Sequence, residues 1–200
     1  MQTSSKLDTK RIQMLTDAIF AVAMTILILE IRVPEGLPKE HLTLAFFNHT
    51  LWQLLFYFFS FIILGIFWTG SHFHHQIITE TDRVSGWLNI FFLMFICVIP
   101  FSTSFLNQYR DEKISVIIYS LNLIVASLFN LFMLVYAWKS NYIHPNVSVI
   151  KYKNARQRIL LPVYLYVVII IVCLLSTKIA ILLFFVPIIM HLFPEAINKK

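Results

Sequence analysis

Ionisable residues are sparse along this chain, and the gaps between them are apolar runs long enough to be membrane-crossing helices. A hydrocarbon core about 30 Å thick needs about 20 helical residues to cross it. On that criterion the gaps predict six helical spans, at about 12–33, 42–70, 84–107, 114–138, 159–176 and 179–193. The turn-rich VPEGLP closes the first, no charge lies between Arg83 and Arg110, and only Ser-Thr-Lys around Lys178 divides the last two. The loop from Lys139 to Arg158 reads as too short and too polar to hold a core. Residues 1–200 are therefore expected to form a single six-helix domain of an all-α integral membrane protein.

Composition supports that expectation. Hydrophobic residues make up 58% of the chain and charged residues 13%, against about 25% charged in soluble domains. Nineteen Phe against four Gly suit continuous helices rather than glycine-broken ones, and the short alternating segments of a membrane β-barrel are absent from the sequence. The first ten residues are polar and no small-residue cleavage site follows, so no cleavable signal peptide is expected. Cys97 and Cys173 both lie in apolar runs and read as small buried hydrophobes.

The net charge of +6 does not imply nucleic-acid binding, because most of the basic residues are expected in loops, where they set topology and attract anionic headgroups. Eleven of the sixteen fall on one side: Lys6, Lys10, Arg11, Arg83, Lys139, Lys151, Lys153, Arg156, Arg158, Lys199 and Lys200. The other side holds Arg32, Lys39, Arg110, Lys113 and Lys178. This asymmetry predicts that both termini are cytoplasmic, with Trp68, Trp87 and Trp138 at that interface.

Motifs for familiar chemistry are missing. The sequence has no TVGYG-type filter, no G-x-S-x-G, no P-loop and no H-E-x-x-H, so an enzyme is not expected and neither is a cofactor. In SHFHHQ, His72 and His75 stand three apart and could share a metal, but no third ligand has the right spacing. Interfacial or hydrogen-bonded histidines are the simpler reading, and no metal site is expected.

The first span carries more information. At about 100° per residue, Val22, Thr25, Ile26 and Leu29 form one stripe, which Ala18, Leu15 and Arg11 extend backwards. Asp17 lies about 140° from Val22 by the same geometry. Ionisable groups in a span are costly and need a partner. One face would thus suit an apolar, Thr-punctuated line along a symmetry axis, with Asp17 turned towards neighbouring helices. Periodicity alone favours ordinary helix packing, because any buried helix shows such a stripe.

RIQMLTDAIFA also resembles the R-x-x-x-F-S-D signature that opens the first helix in the potassium-channel family of transmembrane protein 175. Arg11, Leu15, Thr16 and Asp17 occupy its positions, with Leu for Phe and Thr for Ser. FWTGSHFHH is similar to the family's W-x-x-x-H segment through Trp68 and His72. GWLNIFFLMFICVIPFST is similar to its third helix through Asn89, Pro100, Phe101 and Thr103. The likeness spans roughly the first half of the chain.

The resemblance implies a potassium-preferring cation channel of a prokaryotic inner membrane. Its homotetramer would line a central pore with four first helices, its permeant ion would be K+, and its other partners would be lipids. Val22, Thr25, Ile26 and Leu29 would form the constriction, which is the stripe that periodicity marks out. Glu30 would stand at the pore mouth. Arg11, Thr16, Asp17, Trp68, His72 and Asn89 would form a hydrogen-bonded clamp between helices. The rival readings are a small secondary or proton-coupled transporter using Asp17, Glu30 and the histidines, and a membrane scaffold with no transport.

Overall fold

The computed structural model describes residues 8–32 and 50–192. These fold into α1 (Thr9–Leu29), α2 (Leu51–Ile77), α3 (Arg83–Gln108), α4 (Lys113–Lys139), α5 (Val149–Cys173), α6 (Thr177–Leu183) and α7 (Phe185–Leu192). The first five are long and apolar enough to cross a membrane, and Thr177–His191 forms a shorter apolar helical segment. Among the described residues, β structure is confined to one isolated antiparallel bridge between Ile78 and Ile143. The chain is an all-α, multi-pass membrane protein.

Several boundaries differ from the expected ones. α3 and α4 coincide with 84–107 and 114–138 to within a residue at each end. The first span starts at Thr9, where the Asp8 side chain accepts the Lys10 N–H at 3.0 Å, and its helix ends at Leu29. The second runs on to Ile77 rather than stopping at 70, because the polar Ser71–Gln76 stretch continues the backbone ladder; residues 42–49 lie outside the described residues. The fifth helix begins at Val149, not near Ile159. Ser148 caps it by accepting the Lys151 N–H, so its basic first turns, expected to be loop, are helical. The sixth span is two helices broken at Phe184. Pro187 cannot donate to the carbonyl of Leu183, which accounts for the interruption there.

Loop contacts show which helix ends lie together. The Thr9 and Thr81 hydroxyls are 3.2 Å apart, joining the start of α1 to the α2–α3 loop. That loop is clasped to the α4–α5 loop by Thr79 N–H to the Tyr142 carbonyl (2.8 Å) and His144 N–H to the Ile77 carbonyl (2.9 Å). Ile77, Ile78, Leu134, Ala137 and Ala155 bury one another beneath the clasp, so this loop region does contribute a small core, contrary to expectation. Buried Asp82 ties the clasp to α4: it accepts from the Tyr136 hydroxyl at 2.6 Å and from the Ser85 N–H and hydroxyl at 2.9 Å. Burial pushes its carboxyl up, but these hydrogen bonds outweigh burial and hold it below the usual carboxylate range. At the opposite end the Lys113 ammonium donates to the Leu174 carbonyl at 2.8 Å, and the Arg110 guanidinium sits 5.1 Å above the Trp52 ring.

Between these ends the helices share one core, with Leu64, Phe92, Ile96, Tyr119, Leu123 and Phe184 fully buried. Phe184, at the α6–α7 break, packs on Tyr119 (5.2 Å between ring centroids), Phe59 (5.7 Å) and Tyr166 (6.2 Å). Lipid is as apolar as leucine, so polar contacts and close packing must fix which helices meet. A buried hydroxyl chain does this: Thr103 donates to Ser60 at 2.8 Å, and Ser60 lies 3.1 Å from the Tyr119 hydroxyl, joining α3, α2 and α4. Tyr119→Phe is expected to lower stability by about 0.5–1 kcal/mol, the range of such bonds in membrane bundles. Thermal or SDS unfolding of the purified protein measures it.

Candidate pore helix and its anchoring network

α1 has two unlike faces. Thr16, Phe20, Ala23 and Leu27, spaced at three and four residues, are each no more than 2% exposed and pack on α2 and α3. Phe20 meets Phe92 at 6.0 Å between ring centroids, and Phe67 closes on the other side of Phe92 at 6.2 Å. Every position of the stripe marked out by periodicity lies on the opposite, exposed side. Leu15 is 47%, Val22 51%, Ile26 40% and Leu29 74% exposed, and Arg11, Ala18 and Thr25 are exposed with them.

Thr25 has a specific chemistry on that face. Its hydroxyl donates to the Val22 carbonyl at 2.8 Å. The proton is thereby turned into the helix, and the outward side of the group offers oxygen lone pairs. A ring of such oxygens suits a cation.

The expected clamp resolves into two separate contacts. In the first, the buried Thr16 hydroxyl donates to the Ile12 carbonyl at 2.9 Å and accepts from the Asn89 amide at 3.1 Å, locking α1 to α3. In the second, the Trp68 indole N–H donates to Asp17 at 2.9 Å, locking α1 to α2. The Trp68 ring stacks on His72 at 5.7 Å, and the His72 ring lies 3.1 Å from the Gln76 side chain. Asp17 is half-buried and Trp68 remains 40% exposed, so this second contact sits on the flank of the bundle. The Arg11 guanidinium has no hydrogen bond or ion pair among the described residues and is not part of either contact.

Glu30 does not extend the exposed stripe. It caps α1, half-buried, and borders a cleft that Gln53, Tyr57 and Asn107 also line. Gln53 in turn accepts the Arg32 N–H at 3.0 Å, holding the chain beyond α1 against α2. His72 and His75 are turned to different surroundings: His75 lines a second cleft with Ile12, Ser85 and Asn89. Among the described residues no three His, Cys, Asp or Glu side chains gather as metal ligands. Sequence reasoning missed the Ser60–Thr103–Tyr119 chain and the Asp82–Tyr136 bond. The signal for the first was the hydroxyl residues Ser60 and Ser102 to Ser104 inside the apolar runs.

These elements coincide with a known family. The profile described as "Endosomal/lysosomal potassium channel TMEM175" matches residues 11–100, which contain both anchoring contacts and the whole exposed stripe. Over that region the chain is similar to the TMEM175 family. A potassium channel of Chryseobacterium sp. is 29% identical over 121 residues, which cover 59% of this chain and 59% of that protein. The human endosomal/lysosomal proton channel TMEM175 is 29% identical over 149 residues, 69% of this chain and 29% of the human one. The match to the bacterial relatives thus spans about three fifths of their length. The crystal structure of a lysosomal potassium-selective channel TMEM175 homolog from Chamaesiphon minutus superposes with a TM-score of 0.79. It covers 93% of this chain and 97% of its own at 21% identity, a likeness of fold.

The Asp17–Trp68 bond is expected to carry measurable coupling. Asp17→Ala and Trp68→Phe, made singly and together, should show a coupling of about 1 kcal/mol in unfolding experiments. Additive effects would mean that the two side chains do not support each other.

Proposed function

We propose that this protein is the subunit of a potassium-preferring cation channel whose conducting path is lined by α1. The observation that carries the reading is the one-sided attachment of α1. Its Thr16–Leu27 face is fixed to α2 and α3, while Val22, Thr25, Ile26 and Leu29 face away from the subunit. One copy offers one such stripe and cannot enclose a path by itself. Copies arranged about a closed symmetry axis would bring the stripes together, and four is the number implied by the family resemblance. The potassium-channel names of bacterial relatives support the choice of cargo.

In such an assembly Val22, Ile26 and Leu29 would form stacked apolar rings over about 10 Å of helix. Rings of that kind close by dewetting, and a small outward movement wets them. The Thr25 oxygens between them would replace part of the cation's hydration shell. Glu30, off the stripe, would act on cations only through its field at the mouth. The charge asymmetry supports an orientation with the Thr9, Thr81 and Val149 end in the cytoplasm of a prokaryotic cell.

Proton cargo is the second reading, favoured by the printed name of the human relative. Liposomes holding the purified protein under opposed K+ and Na+ gradients, with an internal pH dye, separate the two. The channel reading expects K+ flux to exceed Na+ flux and to rise without saturation. Equal or absent K+ flux overturns the potassium claim, acidification without K+ movement favours protons, and saturable coupled flux favours a transporter. Leu29→Ala and Ile26→Ala should each raise basal flux several-fold and lower K+ over Na+ preference; unchanged flux in both removes the stripe from the pore.

A further inference from the structure

The first turns of α5 stand outside this account. From Lys139 to Arg158 the chain carries five Lys or Arg residues and no acidic residue. Four of these, Lys151, Lys153, Arg156 and Arg158, are exposed on helical turns, and none is paired with a carboxylate among the described residues. A run of bare like charges is usually a solvated surface, but three features distinguish this one.

Its position is fixed. Tyr152 stacks on Trp138 at 4.2 Å, and Ala155 is buried under the loop clasp, so this segment of α5 is held against α4 in one rotational setting. Its charges are also arranged. With Ala155 inward and about 100° per residue, Arg156 and Lys153 lie about 100° and 160° round from it on one side, and Lys151 and Arg158 about 40° and 60° round on the other. Between Lys153 and Arg158 runs an outermost strip through Ile150 and Gln157, with Ile150 70% exposed. Finally, the strip is continuous with the lipid-facing surface below: Leu161 (38%), Tyr164 (64%) and Val168 (47%) continue it down the same side of α5.

We propose that this part of α5 is a binding site for an anionic phospholipid. The phosphodiester lies beside Lys153 and Arg156 near Gln157, with Arg158 on the far side of the strip, and the acyl chains follow Leu161, Tyr164 and Val168 into the bilayer. Arginine and lysine both donate to phosphate oxygens, and their attraction to an anionic leaflet is strongest at this depth. The exposed apolar strip suits a lipid rather than a free phosphate, which would leave it uncovered. The site rests only on the chain crossing the membrane, whatever it conducts.

The test is the thermal unfolding midpoint of the full chain in neutral detergent, titrated with phosphatidylglycerol, phosphatidylcholine or inorganic phosphate. A saturable rise with phosphatidylglycerol alone is expected. Gln157→Glu places a carboxylate between Lys153 and Arg158 on an exposed surface, and Arg156→Gln removes one donor. Each should raise the half-saturating phosphatidylglycerol concentration about fivefold, the effect of about one unit charge at a headgroup. An equal rise with phosphatidylcholine or with phosphate overturns the proposal. So does no rise with any of the three, or a titration of both variants that matches the unsubstituted protein.

Discussion

The channel proposed for this protein depends on α1 being held from one side only. In a bilayer, turning a leucine away from lipid gains little, so a helix stays where close packing and hydrogen bonds put it. For α1 those contacts are the Thr16–Asn89 bond, the Asp17–Trp68 bond and the packing of Phe20, Ala23 and Leu27. All five residues lie on one side of the helix or on its flank. The opposite side, from Leu15 to Leu29, is left without a partner among the described residues. A surface of that kind is open to lipid or to other copies of the chain.

The remainder of the bundle supplies a rigid wall for this attachment. α3 carries Asn89 and Phe92 to α1, and through Thr103 it is joined to α2 and α4 by the buried Ser60–Tyr119 hydroxyls. At one end Asp82 connects the α2–α3 loop to Tyr136, and at the other Lys113 closes the end of α5. Polar contacts thus stand at both ends and in the middle, spaced along a core that is otherwise aromatic and aliphatic. Outward motion of α1 would have to break Thr16–Asn89 and Asp17–Trp68 or carry α2 and α3 along. The two side-chain contacts lie in the first half of α1, and its second half is held by buried Ala23 and Leu27 and, beyond its end, by the Arg32 N–H to Gln53 bond.

Much of this was legible in the sequence, for identifiable reasons. α3 and α4 were bounded correctly because charges stand at their ends: Arg83, Lys113 and Lys139 within them and Arg110 just beyond. Helical period marked the stripe but not that it would be exposed, because a packed face and a free one show the same spacing. α5 was placed too late, since Lys151–Arg158 looks like loop when charge is taken to mark a helix end; the helix simply continues beyond the hydrocarbon. The break at Phe184 was signalled by Pro187 but hidden inside an apolar run. The partners of Asp17 and Thr16 came from the family resemblance, whereas helical period alone indicated only which way each residue pointed. Arg11, included on the same resemblance, makes neither contact. The Asp82–Tyr136 bond joins residues that no spacing rule connects.

The central claim is that water and cations reach the exposed face of α1 while the membrane reaches the outer face of α5. Single cysteines at Thr25 and at Val168, in a background with Cys97 and Cys173 replaced by alanine, test it directly. A membrane-impermeant cationic thiol reagent is applied to liposomes during K+ flux. Modification at Thr25→Cys should block most of the flux, and Val168→Cys should be insensitive. Unreactive Thr25→Cys in a conducting protein, or block through Val168→Cys alone, would contradict a pore lined by α1.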